Sequence, residues 1–179
     1  TSLHPHDHGA TRNGLRMRPR VPSLPRVLAA RGYKTAAFVG NWTLNDDLLG
    51  LGEHFETYEL VPSRKRWLGL FFAEATAQDL NQAALDWGEE QRADNQRWPL
   101  FLWVHYAEPH EPYRYWDEFA ERLGPLDRQD PAERYDTEIA FVDDAIGKLL
   151  SSLGETTPSE ELMVVFLSDH GDMCGQHGS

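Results

Sequence analysis

The sequence predicts an α/β fold, namely a three-layer α/β/α sandwich with a largely parallel central sheet. Longer segments with helical periodicity separate short runs that are apolar at nearly every position. Such runs are expected of strands that are covered on both faces; they lie at 35–39, 99–105 and 162–167. An alternation of helices with fully apolar strands is typical of sheets that carry helices on both faces.

The composition is that of an ordinary globular protein. The chain has 179 residues, 40% of them hydrophobic and 26% charged. A chain of this length suits one domain or a large part of one. The first residues resemble the middle of a loop, and the last residues lie within a segment dense in motif residues. We therefore interpret residues 1–179 as an incomplete, internal part of one longer domain.

The charge balance limits the partners of the chain. A net charge of -12 argues against nucleic-acid binding, which requires clustered Lys and Arg. An anionic substrate stays open, because a bound metal ion reverses the local field. The single cysteine, Cys174, excludes an intrachain disulfide but leaves the compartment undetermined. No apolar run of about 18 residues predicts a membrane span, no signal peptide is visible, and the oligomeric state is undetermined.

The first third of the chain predicts a loop, a short helix, a strand and a second loop. Residues 1–20 are polar and rich in turn formers. Ser23 is a candidate N-cap for a helix that Gly32 ends. The apolar run 35–39 then predicts a buried strand. Residues 40–66 carry mixed turn signals and charges, which favour a loop.

The remainder predicts two longer helices, each followed by a strand. A helix over 73–93 precedes strand 99–105, and a helix over 132–153 precedes strand 162–167. The second helix has the clearest periodicity of the chain. Its apolar positions are Tyr135, Ile139, Val142, Ile146, Leu149 and Leu153.

Potential metal ligands follow the last predicted strand directly. Strand 162–167 runs into Asp169, His170 and Gly171. In open α/β sheets ligands bind beyond the carboxyl ends of the strands, where Asp and His supply oxygen and nitrogen ligands to a metal ion. Gly171 allows a sharp turn beside them. The alternative is that Asp169 caps the turn and His170 is a packed interior histidine.

A second group of candidates follows strand 99–105. His110 lies between Pro109 and Pro112, whose fixed φ angles restrict the loop. We expect His110 to hydrogen-bond an anionic substrate oxygen or to act as a general acid. A histidine in a surface turn is the alternative. His105, closer to the strand, is either a supporting residue or simply packed.

Other residues that suggest chemistry are better explained by structure. His4, His6 and His8 alternate near the start of the chain, but no buried strand ends beside them. We interpret them as residues of loop capping and packing. Cys174 has no neighbour in sequence that suggests a nucleophile, and we interpret it as structural.

Four segments of the chain match motifs that one protein family has in the same order. T-S-L-H-P-H-D-H-G at 1–9 is followed by a helix and strand at 22–37. P-H-E-P-Y at 109–113 is similar to a P-H-x-P-Y substrate loop. S-D-H-G at 168–171, with G-Q-H-G at 175–178, is similar to a metal motif. Together these segments resemble the sulfatase family of the alkaline phosphatase superfamily.

The resemblance implies an alkaline-phosphatase-like fold and hydrolysis of sulfuric esters with one divalent cation, commonly Ca²⁺. Asp169 and His170 match the later pair of metal ligands of the family. His110 matches the histidine that contacts the sulfate or the leaving group. The metal would polarise the sulfate oxygens and stabilise the nucleophile. The implied substrate is a small-molecule or glycan sulfate ester.

The resemblance also implies residues that 1–179 lack. The family nucleophile is a formylglycine hydrate made from a Cys or Ser, and we expect it to lie before Thr1 together with an early acidic pair. A further basic residue is expected in a C-terminal portion beyond Ser179. We therefore expect residues 1–179 to be part of a single sulfatase-like catalytic domain and to be inactive alone.

One position departs from the family pattern. Where the family has G-K-x-H, the chain has G-N-W-T at 40–43, so Asn41 and Thr43 replace a lysine and a histidine that would bind sulfate. We expect Asn41 to be the substrate-binding residue here. The replacement leaves three alternatives open: a different leaving-group acid, a phosphate- or phosphonate-ester substrate, or a non-catalytic relative that kept the fold.

Overall fold

The computed structural model divides the chain into two compact units, 1–107 and 108–179, and each is presented by itself. The structure describes residues 1–12, 14–18, 20–61, 75–93 and 99–174. The second half of the predicted metal motif, at 175–178, therefore lies outside the described residues, as do the first two residues of the helix predicted over 73–93.

The first unit contains a parallel sheet and several helices. Its strands are β1 (Lys34–Val39), β2 (Thr57–Leu60) and β3 (Leu100–His105). Its helices are α1 (Pro5–His8), α2 (Leu24–Ala29), α3 (Asp46–Leu49) and α4 (Ala77–Ala93), with short 3-10 helices at Trp42–Leu44 and Gly52–His54.

The order of the strands is β2-β1-β3, and both pairings are parallel. The predicted α/β class with a parallel sheet is thus confirmed. The central strand β1 is buried from Thr35 to Val39, as expected of a strand with a neighbour on each edge and helices packed against it. Helices α2 and α4 are among the elements that pack on β1.

Strand β2 corrects the prediction of a loop over 40–66. It is four residues long and includes the exposed, charged Glu59, so it carries no apolar run that would indicate a strand. Tertiary contacts hold it in place instead. Its backbone pairs with β1, and the hydroxyl of Tyr58 donates a hydrogen bond of 2.7 Å to the carbonyl oxygen of Leu44.

The core of the first unit lies between α4 and the sheet. Leu80, Ala84 and Trp87 of α4 are buried against Ala36 and Phe38 of β1. The rings of Phe38 and Trp87 meet edge to face with their centroids 6.3 Å apart, an arrangement that aromatic pairs prefer. The predicted buried side of this helix is confirmed.

The second unit is mainly helical. It contains α5 (Asp117–Leu123), α6 (Pro131–Thr156) and a 3-10 helix at Ser159–Glu161. The side chain of Asp130 caps α6 by accepting a hydrogen bond of 2.8 Å from the backbone N–H of Ala132. The helix predicted over 132–153 is confirmed, with slightly wider bounds.

The buried face of α6 differs in part from the predicted one. Val142 and Leu149 are buried as expected, but Ile139 is 44% exposed. Thr137 and Glu138, by contrast, are fully buried. The helix therefore turns a polar patch inward near its middle, where a chain segment with backbone N–H groups to satisfy packs against it.

The predicted buried strand 162–167 is wrong for this structure. Residues 162–168 have no regular secondary structure, and Met163 to Leu167 are between 54% and 87% exposed. A strand needs a hydrogen-bonded neighbour, and within the described residues this run pairs with none. Apolar character shows that a segment favours burial, but it does not supply the surface that buries it.

The described helices were also compared with the requirements of a membrane span. Among them, none has both the length and the apolar character that crossing a bilayer demands.

Candidate functional site

The carboxyl ends of β1 and β3 meet at one edge of the sheet in the first unit. Val39 is paired with His105, and the backbone N–H of Gly40 donates a hydrogen bond of 3.1 Å to the carbonyl oxygen of His105. A Cβ on Gly40 would lie only 3.1 Å from Cδ1 of Leu80. Glycine therefore lets the chain leave β1 through a crowded point and brings Asn41 to this edge.

Asn41 is held by the second residue that departs from the family pattern, Thr43. The side-chain oxygen Oδ1 of Asn41 accepts hydrogen bonds from the backbone N–H and the hydroxyl of Thr43, at 2.9 and 2.8 Å. Asn41 thereby caps the 3-10 helix Trp42–Leu44. These bonds fix the side chain and leave its amide N–H groups available as donors.

His105 fits the interpretation of a packed residue. It is the last residue of β3 and half-buried. Its ring meets that of Trp103 edge to face, with the centroids 5.9 Å apart.

In the second unit, His110 is exposed on the loop that precedes α5. The peptide bonds Glu108-Pro109 and Glu111-Pro112 on either side of it are both cis. The ring nitrogen Nδ1 of His110 lies 2.7 Å from the carbonyl oxygen of Glu111. Since a carbonyl oxygen only accepts, Nδ1 carries a proton. Nε2 is then the nitrogen that is free to change its protonation state and to contact a ligand.

Helix α6 holds the backbone of this loop. The backbone N–H of Arg114 donates a hydrogen bond of 2.8 Å to Oε1 of Glu138. The backbone N–H of Trp116 donates a hydrogen bond of 3.1 Å to Oγ1 of Thr137. The indole of Trp116 stacks on Phe141, with ring centroids 3.9 Å apart and planes 8° from parallel. The two polar side chains that α6 buries thus serve the loop that carries His110.

The loop of His110 also contacts the segment that contains the predicted metal ligands. The hydroxyl of Tyr113 donates a hydrogen bond of 2.8 Å to Oδ2 of Asp172. Burial and the Asp172 carboxylate raise the pKa of Tyr113, so the hydroxyl keeps its proton. The ring of Tyr113 packs edge to face on Tyr135 of α6 at 5.4 Å. The two motifs, 59 residues apart in sequence, therefore come together in one unit.

Asp169 and His170 are exposed side by side, with side-chain exposures of 82% and 62%. Oδ1 of Asp169 accepts a hydrogen bond of 3.0 Å from the backbone N–H of His170. Nδ1 of His170 lies 3.2 Å from the carbonyl oxygen of Gly171 and so carries the proton. This leaves Nε2 of His170 and Oδ2 of Asp169, 3.7 Å apart, as a nitrogen and an oxygen donor.

These two donors fit a shared metal ion only in part. Each protein ligand lies about 2.0 to 2.6 Å from a bound divalent ion, and two ligands of one ion can be separated by the observed 3.7 Å. Within the described residues, however, no group of three or more His, Cys, Asp or Glu side chains is arranged to hold a metal. Asp169 and His170 can therefore supply part of a site, and the ligand roles stay a prediction.

The other histidines and Cys174 fit structural roles. His4, His6 and His8 lie in or next to the single-turn helix α1, which the sequence predicted as loop. Nδ1 of His8 accepts a hydrogen bond of 3.3 Å from the backbone N–H of Ala10. The thiol of Cys174 lies 3.8 Å from the carbonyl oxygen of Asp172.

Sequence reasoning missed Tyr113, Asp172 and Glu138 as members of the candidate site. Tyr113 closes the P-H-E-P-Y motif, and Asp172 stands two residues after His170, so the motifs themselves contained a signal for both. Glu138 gave no such signal, because an acidic residue in a helix is ordinarily interpreted as solvent-facing.

The fold and this site define a member of a hydrolase superfamily, and the comparison with family models gives the family. The family model described as Sulfatase matches residues 1–179. The chain therefore belongs to the sulfatase family, which is part of the alkaline phosphatase superfamily. This confirms the resemblance that the four sequence segments carry.

Similar proteins cover this chain only as a part of their own length. A choline-sulfatase of Rhizobium meliloti (strain 1021) is 30% identical over 48% of this chain and 24% of its own. The lipoteichoic acid synthase LtaP of Listeria monocytogenes has a TM-score of 0.59 and 22% identity, over 75% of this chain and 33% of its own. A protein of the alkaline phosphatase superfamily from Vibrio parahaemolyticus has a TM-score of 0.50 and 17% identity, over 75% and 32%.

These values separate what the comparisons show. The chain spans about a quarter of the curated relative and a third of each solved structure. At 17 to 22% identity the structural likeness shows the fold alone. The fold of the superfamily and membership of the sulfatase family are thus established.

Proposed function

We propose that the protein hydrolyses sulfuric esters, with a divalent cation bound in part by Asp169 and His170. The observation that best supports this is the hydrogen bond between Tyr113 and Asp172. It places the loop of the candidate substrate-binding histidine against the segment of the candidate metal ligands. The family match and the similarity to a choline-sulfatase favour a sulfate ester, either a small molecule or a glycan, as substrate.

In this proposal Asp169 contributes Oδ2 and His170 contributes Nε2 to the cation. At least one more acidic ligand is required from outside the described residues. When bound, the cation polarises the sulfate oxygens. Ca²⁺ is the cation that the family resemblance implies; calcium prefers oxygen ligands, whereas an imidazole suits Zn²⁺ and other transition metals. Adding single metals back to metal-depleted protein will identify the cation.

His110 and Asn41 are the proposed contacts to the substrate. A His110 ring that is protonated at both nitrogens donates from Nε2 to a sulfate oxygen or to the leaving alcohol. Asn41 donates from its amide, because its oxygen is engaged by Thr43. The amide is neutral, so it gives less electrostatic stabilisation to an anion than a lysine would.

The nucleophile of the proposed reaction is a formylglycine hydrate, which lies outside residues 1–179. It supplies the oxygen that attacks sulfur. The residues of this chain then have three tasks: to bind the sulfate, to hold the cation and to supply a proton to the leaving group. Residues 1–179 alone are expected to be inactive.

Hydrolysis of a phosphate or phosphonate ester is the second candidate. It is favoured by the fold that the chain shares with a lipoteichoic acid synthase and by Asn41 and Thr43 in place of Lys and His. A fold relative without catalytic activity would show turnover of neither class of ester.

A comparison of two chromogenic esters distinguishes these functions. The protein that contains this chain is assayed with para-nitrophenyl sulfate and para-nitrophenyl phosphate, with and without EDTA. The proposal expects preferred turnover of the sulfate and its loss with EDTA. Preferred turnover of the phosphate supports the second candidate, and chelator-insensitive turnover contradicts the metal role of Asp169.

A further inference from the structure

Helix α6 buries a carboxylate, Glu138, at 2% exposure. Burial of a charged group is costly unless the group is hydrogen-bonded. An acidic residue at such a position therefore requires a specific partner, and its partner indicates its task.

The partner of Glu138 is the backbone of the loop that carries His110. Oε1 accepts the hydrogen bond from the backbone N–H of Arg114 at 2.8 Å. Burial raises the pKa of Glu138, and the backbone N–H groups of Arg114 and His110 oppose that rise. The carboxylate therefore interacts with both ends of the five-residue segment 110–114.

The adjacent turn of α6 fixes the continuation of the same loop. Thr137 accepts a hydrogen bond from the backbone N–H of Trp116, and Phe141 stacks on its indole. These contacts anchor the chain beyond Arg114. Within the described residues, Glu138 is the α6 side chain whose contacts reach back to His110.

We propose that Glu138 is a positioning residue: it accepts backbone N–H groups of segment 110–114 and thereby fixes the place of the His110 side chain. The consequence for turnover rests on the proposed function of His110. A displacement of a reacting group by about 1 Å can lower a rate about 100-fold, so the backbone of this segment is a sensitive point of control.

The proposal differs from a purely structural role in what a change at Glu138 would affect. Glu138→Gln keeps the size of the side chain and removes its charge. Because burial raises the pKa of Glu138, loss of that charge should not lower the melting temperature. The amide group of glutamine donates where the carboxylate accepts, so the loop loses one of its backbone contacts. Asp136→Asn, at an exposed position of the same helix, is the matched control.

The first readout is hydrogen exchange of the backbone amides of 109–116, measured by mass spectrometry on the full-length protein. Glu138→Gln should raise exchange in this segment by about tenfold, which corresponds to loss of about one hydrogen bond. Glu138→Leu, which cannot accept at all, should raise it at least as much. Asp136→Asn should leave it unchanged. Unchanged exchange in both Glu138 variants overturns the proposal.

The second readout is turnover of para-nitrophenyl sulfate in a double-mutant cycle with His110→Ala. Glu138→Gln should lower kcat/KM about 10- to 100-fold, chiefly through kcat. In the His110→Ala background it should cause a further change of no more than about twofold. Losses that multiply would show that Glu138 acts independently of His110 and would overturn the proposal. If His110→Ala itself has no effect, the proposed function fails, while hydrogen exchange still decides whether Glu138 holds the loop.

Discussion

The hydroxyl of Tyr113 lies 2.8 Å from Oδ2 of Asp172 and donates a hydrogen bond to it. Through this bond, the loop of His110 and the segment of Asp169 and His170 become one candidate site within the second unit. Neither motif would indicate this contact alone, because 59 residues separate the two partners.

Tyr113→Phe should destabilise the protein. The variant keeps the ring contact with Tyr135 but removes the hydrogen bond to Asp172. We expect the free energy of unfolding to fall by about 1 kcal/mol, measured by urea denaturation. The control is Tyr33→Phe, since the Tyr33 hydroxyl makes no hydrogen bond within the described part of the chain. Equal effects of the two substitutions would show that the Tyr113 bond contributes nothing to stability.

Gly40→Ala should also destabilise the protein, for a steric reason. The new methyl group would lie 3.1 Å from Cδ1 of Leu80 and 3.4 Å from the carbonyl oxygen of His105. Overpacking of this kind costs about 1 to 3 kcal/mol, seen as a lower melting temperature. Gly147→Ala on α6 is the control, because no atom lies within 4 Å of its added Cβ. It should stabilise the helix by about 0.5 to 1 kcal/mol. A Gly40→Ala variant as stable as wild type would contradict the close approach.

His54 should make stability depend on pH. It is 4% exposed, and its Nδ1 lies 2.8 Å from Oγ of Ser23, which precedes α2. Burial lowers the pKa of His54, and Arg26 lowers it further. The unfolded chain therefore binds a proton more readily than the folded one. The stabilisation is complete above the ordinary histidine pKa of about 6.5 and is lost as the pH falls through the lower folded pKa.

This dependence is measured as the melting temperature of wild type and His54→Gln between neutral pH and pH of about 5, below the ordinary pKa of histidine. The wild type should lose more stability on acidification than the variant. The same substitution at the exposed His4 should leave the pH dependence as it is in wild type. Parallel curves for wild type and His54→Gln would contradict a buried, neutral His54.

The sequence predicted those elements whose burial is local in origin. Strands β1 and β3 are apolar at nearly every position, and the long helices α4 and α6 have a clear periodicity. Strand β2 escaped prediction because its backbone pairing with β1, rather than its four side chains, stabilises it. The run 162–167 shows the converse: its composition predicts a strand, but within the described residues it has no neighbour to pair with.

The candidate site was predicted only at the level of motifs. His110, Asn41, Asp169 and His170 were found because each follows an apolar run or matches a family motif, and their roles stay predictions. Glu138 was missed because its partners are backbone groups of a distant loop, which leave no trace in its own segment. Asn41 could have been predicted as a cap, since Asn followed two residues later by a backbone N–H is a common capping arrangement.

The central claim is that Asp169 holds a cation required for sulfate-ester hydrolysis. It is tested most directly by metal content and para-nitrophenyl sulfate turnover of the full-length protein and its Asp169→Ala variant, with His4→Ala as the control. We expect one divalent cation per chain in wild type and His4→Ala, and loss of both the cation and nearly all turnover in Asp169→Ala. An Asp169→Ala variant that keeps its cation and its turnover would contradict the account.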